Sequence, residues 1–404
     1  MLEGEVMTSA GFIQGSGQGS GQGSGQGSGQ GSGQGSGQGG GQTHAGGPSS
    51  TLLNFALAST HDGTVGYWEG DRIYKGARLG TDDDGDLEYL VGESRTHVLG
   101  AELGQVFSVK SEGGSIEEGL RIVMVHQNSQ PLLSIQTPNT NVFTAQLKWL
   151  RAYADLRTDR IDEIGLQMND LLSFFGGVGM LNSSRRKHTL ALLRAVLGQV
   201  VRTGYLVKHY CRAPRPIDLS NQVFPIIQTP DHSTFPSGHA TEAFALATVM
   251  HILMSKKSDS SLVPKDFGLD DQGQSPVSGF SGIPMPFRIA YRIAVNRTIA
   301  GVHFPIDSMA GAVLGFTLAN ALHAVAKGKP LGSNPVHASG EGFPLMGQDD
   351  DFTFRGLSEN LEKIAPSNGD SVAESTNIAP AFARLWGLAE KEWPDEPEKT
   401  AGEA

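Results

Sequence analysis

The chain has 404 residues, which is enough for two average domains or for one large domain with a substantial core. Its formal net charge is −11, and this acidic balance argues against nucleic acid or an anionic membrane surface as the main partner. The single cysteine, Cys211, excludes an intrachain disulfide and a cysteine-rich metal site.

A four-residue repeat of Gly, Ser and Gln begins at Gly15 and dominates the first 50 residues. Such a repeat cannot bury apolar surface, so residues 1–50 are predicted to form a flexible, disordered tether. The repeat is equally compatible with an artificial linker. The N-terminus, MLEGEVMTSAGFIQ, is acidic and lacks the apolar stretch of a signal peptide, which predicts a cytoplasmic protein.

Residues 51–125 alternate short apolar runs with Gly and Asp clusters, as in GTVGYWEGDRIYKGARLGTDDDGDLEYLVG. This spacing favours strands or irregular loops over helices. The sequence therefore predicts an irregular or β-rich N-terminal region.

Helical periodicity begins after the turn signals QTPNTN. Two helices are predicted to meet near residues 157–159. The next helix is introduced by NSSRRK and is predicted to end before Pro214, because proline is incompatible with a helix interior.

Further helices are predicted after Pro236, over FRIAYRIAVNRTIAG, and from Pro305 to about Ala326. The predicted fold class is therefore all-α, with a helical bundle over residues 126–330. Residues 331–404 are rich in Gly, Pro, Ser and acidic residues, and they are predicted to form a loop-rich tail with one short helix around AFARLWGLAEKEW.

The longest apolar stretch, residues 308–326, is close to the length that spans a bilayer. It contains Thr317, Asn320 and His323, it is rich in alanine, and no second comparable segment is evident. It is therefore predicted to be a buried bundle helix, and no transmembrane span is expected.

Two cations flank the predicted end of a helix in the motif KHYCRAPRP. Lys208 would lie on the last helical turn, whereas Arg215, held between prolines, would lie in extended backbone. Both side chains would project from a stiffened corner. A basic helix end that complements the helix dipole is the simpler explanation of this motif by itself.

The motif FPSGH combines helix-start signals with a histidine. Pro236 suits the first turn of a helix, so Ser237 and Gly238 would offer backbone N–H groups to an anion at the positive end of the helix dipole. His239 follows directly. An ordinary helix start with an incidental histidine is the alternative.

The third motif, NRTIAGVHFPID, places Arg297 six positions before His303 and Asp307 four positions after it. A four-residue step at a helix start brings the Asp307 carboxylate towards the His303 ring. Such a carboxylate would fix the tautomer and leave the other ring nitrogen as a nucleophile or metal ligand. A surface His–Asp pair is the bland alternative.

Together, the order Lys-x6-Arg-Pro, Pro-Ser-Gly-His and Arg-x5-His-x3-Asp resembles the three-part signature of the type 2 phosphatidic acid phosphatase and vanadium haloperoxidase superfamily. All spacings within the three parts match. The motifs span Lys208 to Asp307, and the flanking helices are of the expected kind. One position departs from the pattern: Asn296 stands where serine usually precedes the arginine, which puts a supporting hydrogen bond in doubt.

The resemblance implies an oxyanion site. Lys208, Arg215 and Arg297 would surround the phosphate oxygens, and Ser237 and the Gly238 N–H would complete the cage. Three cations already neutralise a phosphate dianion, so no magnesium or other cofactor is expected for a phosphatase.

The resemblance also implies roles in the reaction. His303, oriented by Asp307, would attack phosphorus and form a phosphohistidine, while His239 would protonate the leaving alkoxide and later activate water. The predicted function is metal-independent hydrolysis of a small phosphomonoester.

The alternative function is a vanadium-dependent haloperoxidase with vanadate as cofactor and with halide and hydrogen peroxide as substrates. The residue matching His303 would then ligate vanadium, and the residue matching His239 would assist proton transfer. An additional histidine beside the vanadate would favour this reaction, which makes His209 and His232 candidates.

An idle scaffold domain is disfavoured, because none of the cationic or histidine positions is lost. A nucleic-acid partner is not expected, and the sequence leaves a homo-oligomer open.

Overall fold

A computed structural model of the chain describes residues 51–64, 79–90, 92–115, 118, 121–255, 283–328, 350–364 and 378–393. The predicted tether, residues 1–50, lies outside the described residues, and so do residues 256–282 in the predicted polar loop and most of the tail.

Helices make up most of the described residues. In chain order they are α1 (Thr51–Thr64), α2 (Gly92–Gly104), α3 (Thr140–Tyr153), α4 (Arg157–Gln167), α5 (Leu172–Gly179), α6 (Lys187–Cys211), α7 (Pro216–Leu219), α8 (Gly238–Ser255), α9 (Met285–Ile299), α10 (Pro305–Ala326), α11 (Phe354–Ile364) and α12 (Pro380–Glu390). The strands are β1 (Phe107–Gly113), β2 (Ile122–Gln127) and β3 (Gln130–Gln136). This architecture confirms the predicted helical fold class with a β-containing N-terminal region.

The N-terminal region differs from the sequence prediction in detail, because α1 and α2 are helices where strands or loops were expected. In α2 the buried residues Leu99 and Leu103 are four positions apart, so they share one helix face, and this face packs on α6 and α12. Tertiary packing thus stabilises a helix in a segment of weak helical pattern. Strand β3 also lies inside the range that was predicted to be helical.

The three strands form one antiparallel sheet in the order β1-β2-β3. Val125 in the central strand pairs with Val109 on one side and Leu133 on the other. Asn128 and Ser129 make the tight connection between β2 and β3, and both have positive φ, as two-residue hairpin turns require.

The helical predictions agree with the structure at α3, α4 and α6. A single 3-10 turn, Ala154–Leu156, joins α3 to α4 close to the predicted junction. Helix α6 ends at Cys211, and Arg212 closes it in the left-handed conformation just before Pro214. The Arg212 N–H bonds the Lys208 carbonyl, which fixes the end of the helix beside a predicted site residue.

Helices α8 and α10 form the centre of the core. Almost every residue of α10 is buried, including polar His323 and Thr317, as predicted for residues 308–326. Neither helix shows a polar face, because helices pack around both of them.

Glycines bring α8 and α10 into close contact. A Cβ atom on Gly311 would lie 2.5 Å from the carbonyl oxygen of Ser237, and one on Gly315 would lie closer still to the carbonyl oxygen of Thr241. This approach allows the Ser237 N–H to donate to the Asp307 carbonyl over 2.8 Å. Gly311 and Gly315 therefore allow the FPSGH motif at the start of α8 to contact the NRTIAGVHFPID motif at the start of α10.

Substitution of Gly315 by alanine is expected to lower the free energy of unfolding by about 2–3 kcal/mol, because the added methyl group overpacks the α8–α10 contact. Gly198→Ala on α6 is the matched control. A Cβ there meets open space, so this variant is expected to be neutral or stabilised by about 0.5–1 kcal/mol. Urea denaturation measures both, and an equal effect of the two variants would contradict the packing argument.

Two helical segments in the described part of the chain are long and apolar enough to cross a membrane, Lys187–Leu219 and Pro305–Ala326. Only the second of these segments stands out in the sequence as a long apolar stretch. In that segment 89% of the most apolar window is buried inside the fold, as is also seen in the core helices of globular proteins. Length and composition alone are weak evidence for a span.

Two helices in the tail pack back onto the bundle, where one was predicted. Trp386 of α12 is buried and stacks on His323 of α10, with ring centroids 5.0 Å apart. Beyond α12, the Glu392 carboxylate accepts hydrogen bonds from the His188 and Thr189 N–H groups and so caps the start of α6.

Candidate active site

Two loops reach the site through the same local sequence pattern, X-Pro-Ile-Asp. Arg215 and Phe304 are extended residues that precede α7 and α10, and proline follows each as the first helical residue. Asp218 accepts the Arg215 N–H over 2.8 Å, and Asp307 accepts the Phe304 N–H over 2.9 Å. Each aspartate thus caps its own helix, and short-range sequence alone specifies both corners.

Lys208 lies on the last turn of α6 and is 2% exposed. Its Nζ donates to the carbonyl oxygens of Ser233 and Thr234, at 3.0 and 3.3 Å. Burial and the neighbouring Arg215 charge hold the pKa of Lys208 well below its usual range. The ammonium group is therefore desolvated and points at the segment that leads into α8.

Arg215 crosses the site from the start of α7. Its guanidinium donates to the carbonyl oxygens of His232 and Val302, and Nη1 lies 3.2 Å from Nε2 of His303. Burial lowers the pKa of Arg215 to about 10. Because a guanidinium only donates hydrogen bonds, the His303 Nε2 atom must accept and carries no proton.

The other ring nitrogen of His303, Nδ1, faces the carboxylate of Asp307. Nδ1 lies 3.0 Å from Oδ2 of Asp307, which also accepts the Thr234 hydroxyl at 2.5 Å. Burial raises the pKa of Asp307 to about 6, and burial together with Arg215 holds the pKa of His303 well below its usual range. At neutral pH the pair is therefore a neutral imidazole that donates Nδ1–H to a carboxylate.

The PSGH motif lies at the start of α8, where the first-turn N–H groups have no intrahelical acceptor. One expectation fails here, because the Ser237 N–H is already bonded to the Asp307 carbonyl. The Gly238 N–H and the Ser237 hydroxyl are the other groups of this motif that were predicted to bind an anion. The motif contributes fewer backbone donors than its sequence indicates.

His239 is buried, and its Nε2 lies 3.0 Å from the carbonyl oxygen of Gln167 on α4. A carbonyl only accepts, so Nε2 carries the proton and Nδ1 holds the lone pair. Burial and the nearby Arg297 charge hold the pKa of His239 well below its usual range, which makes the ring neutral at neutral pH in the free protein.

Arg297 is fully buried on α9, yet its guanidinium is only half satisfied. Nη2 donates to Oε1 of Gln167 at 2.9 Å and to the Ile164 carbonyl at 3.3 Å, whereas Nε and Nη1 have no hydrogen-bond partner among the described residues. Burial lowers the pKa of Arg297 to about 9. A buried cation with unsatisfied donors is costly unless an anion completes it.

Asn296, the departure from the resembled pattern, retains a supporting role. Its side-chain amide donates to Oε1 of Gln167 and to Glu163, both at 3.0 Å. Gln167 in turn holds Arg297 through its side chain and His239 through its backbone. Asn296 therefore supports Arg297 indirectly, through Gln167.

The fold brings all the predicted site residues together around one position. These are Lys208, Arg215, Ser237, Gly238, His239, Arg297, His303 and Asp307. Of the two additional histidines, His209 is exposed and stays outside, whereas His232 lies inside with Nδ1 3.1 Å from Nη2 of Arg215. Burial lowers the pKa of His232 to about 4.

Sequence reasoning missed Gln167 and Thr234. Thr234 directly precedes the FPSGH motif, so its place in the chain was a usable signal. Gln167 lies 130 positions before Arg297, and no pattern in the chain connects them.

Residues 188–330 match the sequence model of the PAP2 superfamily. The match includes every predicted site residue, and the PAP2 segment begins at the start of α6 and includes α10.

Two relatives of known description match parts of the chain. The chain is 32% identical over 95 residues to a vanadium-dependent bromoperoxidase of Ascophyllum nodosum. This alignment covers 22% of the chain and 17% of that protein. The chain is also 26% identical over 159 residues to a decaprenylphosphoryl-5-phosphoribose phosphatase of Mycobacterium tuberculosis. This alignment covers 39% of the chain and 72% of that protein. Similarity to both supports an enzyme and leaves its reaction undecided.

The candidate site has the chemistry of a tetrahedral oxyanion receptor. Two unpartnered nitrogens of Arg297, the buried Lys208 ammonium and the Gly238 N–H can supply charge-assisted hydrogen bonds to anion oxygens. Phosphate and vanadate both fit this donor set, because both present several anionic oxygens. The imidazole Nε2 of His303 is an unprotonated nitrogen beside these donors.

Proposed function

We propose that the protein is a phosphomonoester hydrolase that works through a phosphohistidine on His303. The observation that carries this proposal is the tautomer of His303, whose Nδ1 is held by Asp307 and whose unprotonated Nε2 faces Arg215 in the cationic site. The unsatisfied donors of Arg297 support it, because a phosphoryl group would complete them. The similarity to a phosphatase agrees with this assignment.

In the first step, Nε2 of His303 forms a bond to phosphorus while the bond from phosphorus to the leaving oxygen breaks. Lys208, Arg215 and Arg297 stabilise the charge on the phosphoryl oxygens. The Asp307 carboxylate stabilises the positive charge that develops on the ring.

His239 handles the proton. Its Nε2–H stays on the Gln167 carbonyl, so a proton on Nδ1 passes to the leaving alkoxide. A bound phosphate dianion offsets the Arg297 charge and favours this second proton. Water then attacks phosphorus, the bond to His303 breaks, and His239 Nδ1 takes a proton back from the water. Metal independence is part of the proposal and is checked by assays with a chelator.

The pH dependence of kcat/KM is expected to show an acidic limb near pH 6. Burial raises the folded pKa of Asp307 from 3.8 to about 6, so its carboxylate becomes protonated as the pH falls through 6 and no longer holds the Nδ1–H of His303. The lowered pKa of Lys208 is expected to limit activity on the alkaline side, below pH 10.5. Profiles measured with two aryl phosphates, whose phosphate groups have different pKa values, show whether the acidic limb comes from the protein or from the substrate. A limb that moves with the substrate would contradict the assignment to Asp307.

A vanadium-dependent haloperoxidase is the second candidate, and the position of His232 favours it. This additional histidine touches Arg215 within the site, and the similarity to a bromoperoxidase agrees with it. Vanadate would be held by the same cations and by Nε2 of His303. When bound, it would supply activation of hydrogen peroxide for halide oxidation, while His232 and His239 would hold or move protons nearby.

A vanadate titration decides between the candidates. The phosphatase is expected to hydrolyse an aryl phosphate without added vanadate and to be inhibited as vanadate is added. The haloperoxidase is expected to show peroxide-dependent bromination of a dye that appears only with vanadate. Absence of aryl phosphate hydrolysis from acidic to neutral pH would reject the phosphatase.

A location without a membrane span also remains part of the proposal. Because Lys187–Leu219 and Pro305–Ala326 pass the length and composition test for a span, fractionation of the expressed full chain is the direct check.

A further inference from the structure

A small pocket lies between α6 and α8, next to the proposed phosphate site. Its volume is about 230 Å³, including the part open to solvent, and Lys208 and Gly238 both line it. Val201 and Tyr205 of α6 provide apolar and aromatic wall, and Glu242 of α8 provides a carboxylate. The proposed mechanism of phosphoryl transfer gives this pocket no role.

Helix geometry aligns the pocket with the phosphate site. Glu242 follows Gly238 by four positions and Val201 precedes Lys208 by seven, and residues at these spacings share one face of a helix. On each helix, the residues that line the pocket therefore lie on the same face as the phosphate-binding group, about one or two turns away from it. One helical turn is about 5.4 Å, so Glu242 lies roughly that far along α8 from Gly238.

Glu242 is 1% exposed, which is unusual for a carboxylate. It interacts electrostatically with Arg297 and Lys208, and its charge raises the pKa of each of them and of Tyr205. A carboxylate accepts hydrogen bonds and donates none. A favourable interaction with the helix dipole needs no such burial in a pocket wall.

We propose that this pocket binds the alcohol part of the substrate and that Glu242 accepts a hydrogen bond from a hydroxyl or ammonium group on that alcohol. The inference rests on the proposed phosphomonoesterase function. The preferred substrates are phosphate monoesters of short alcohols that carry a donor group two or three bonds from the ester oxygen. The one-turn spacing between Gly238 and Glu242 sets this length.

Binding of two isosteric phosphonates to the full chain tests the proposal without any turnover. 2-Aminoethylphosphonate carries the donor, and n-propylphosphonate has a methyl group in its place. Calorimetry is expected to show about 10- to 100-fold tighter binding of the aminoethyl compound, as for a hydrogen bond to a charged group. Glu242→Gln is expected to remove this preference. Glu359→Gln, at an exposed ion pair on α11, is the matched control and is expected to keep it.

Hydrolysis provides the second measurement. Phosphoethanolamine and glycerol 1-phosphate are expected to exceed n-propyl phosphate in kcat/KM by a similar factor. The first ester reports on recognition of an ammonium group and the second on recognition of a hydroxyl group. If none of the three esters is hydrolysed, the phosphatase proposal fails, whereas phosphonate discrimination still decides the role of Glu242. Equal affinity for the two phosphonates in the unmodified protein, or a preference that persists in Glu242→Gln, overturns the inference.

Val201→Phe fills the pocket from α6 and covers the case in which Glu242→Gln fails to fold. This variant is expected to weaken n-propylphosphonate binding at least tenfold more than it weakens inorganic phosphate binding. A uniform effect on both ligands would show that the alcohol group does not enter the pocket.

Discussion

Replacement of His303 by alanine is expected to reduce kcat for aryl phosphate hydrolysis by about 10,000-fold or more. The proposed nucleophile is lost, and the remaining cage can only stabilise charge during attack by water. Rapid quench of the unmodified protein with a ³²P-labelled substrate is expected to trap labelled protein that is stable in base and labile in acid, as a phosphoramidate is. The alanine variant is expected to trap none.

Anion binding separates loss of chemistry from loss of structure. Because Lys208 and Arg297 remain in place, His303→Ala is expected to retain stabilisation by inorganic phosphate in a thermal unfolding assay. Residual activity within tenfold of the unmodified protein, with normal folding, would rule out a phosphohistidine on this residue.

Replacement of Arg297 by methionine is expected to abolish stabilisation by phosphate. In the unmodified protein, phosphate at about 100 times its Kd should stabilise the fold by about 2.7 kcal/mol, or roughly 5–10 °C in Tm. Much of this gain depends on Nε and Nη1 of Arg297, which are buried and unpartnered without a ligand. The variant is also expected to lose about 100- to 10,000-fold in kcat/KM, as for two charge-assisted hydrogen bonds.

In chloride buffer Arg297→Met is expected to change Tm by only a few degrees, because the substitution also removes a buried cation with unsatisfied donors. Arg194→Met, at an exposed position on α6, is the matched control and is expected to keep the full phosphate effect. If Arg297→Met were stabilised by phosphate as strongly as the control, the oxyanion would have to bind elsewhere.

Local rules in the sequence were sufficient for much of the fold. Helix α6 ends before Pro214 and α10 begins at Pro305, because proline constrains the backbone of its immediate neighbours. The contact of Asp307 with His303 was likewise readable from a four-residue step, since the aspartate caps the helix that the histidine precedes. Such interactions join residues that are close in the chain, so sequence alone determines them.

The N-terminal helices were not readable in this way. Helix α2 lies among Gly and Asp clusters, and its apolar face is stabilised by α6 and α12, which lie far away in the chain. Helix α11 was also missed, although Leu357 and Leu361 are four positions apart and buried against the core. Periodicity in short segments is weak, and tertiary packing decides their conformation.

By itself, the sequence determined which groups are predicted to form the site: three cations, two histidines and an aspartate in three motifs with fixed local spacing. Only the tertiary structure decided how they are oriented. Gln167 holds both Arg297 and His239 from a distant helix, and the α8–α10 contact uses the Ser237 N–H. Burial of Glu242 beside the cations was equally unreadable. These features depend on the packing of helices that are remote in the chain, and no local pattern encodes that packing.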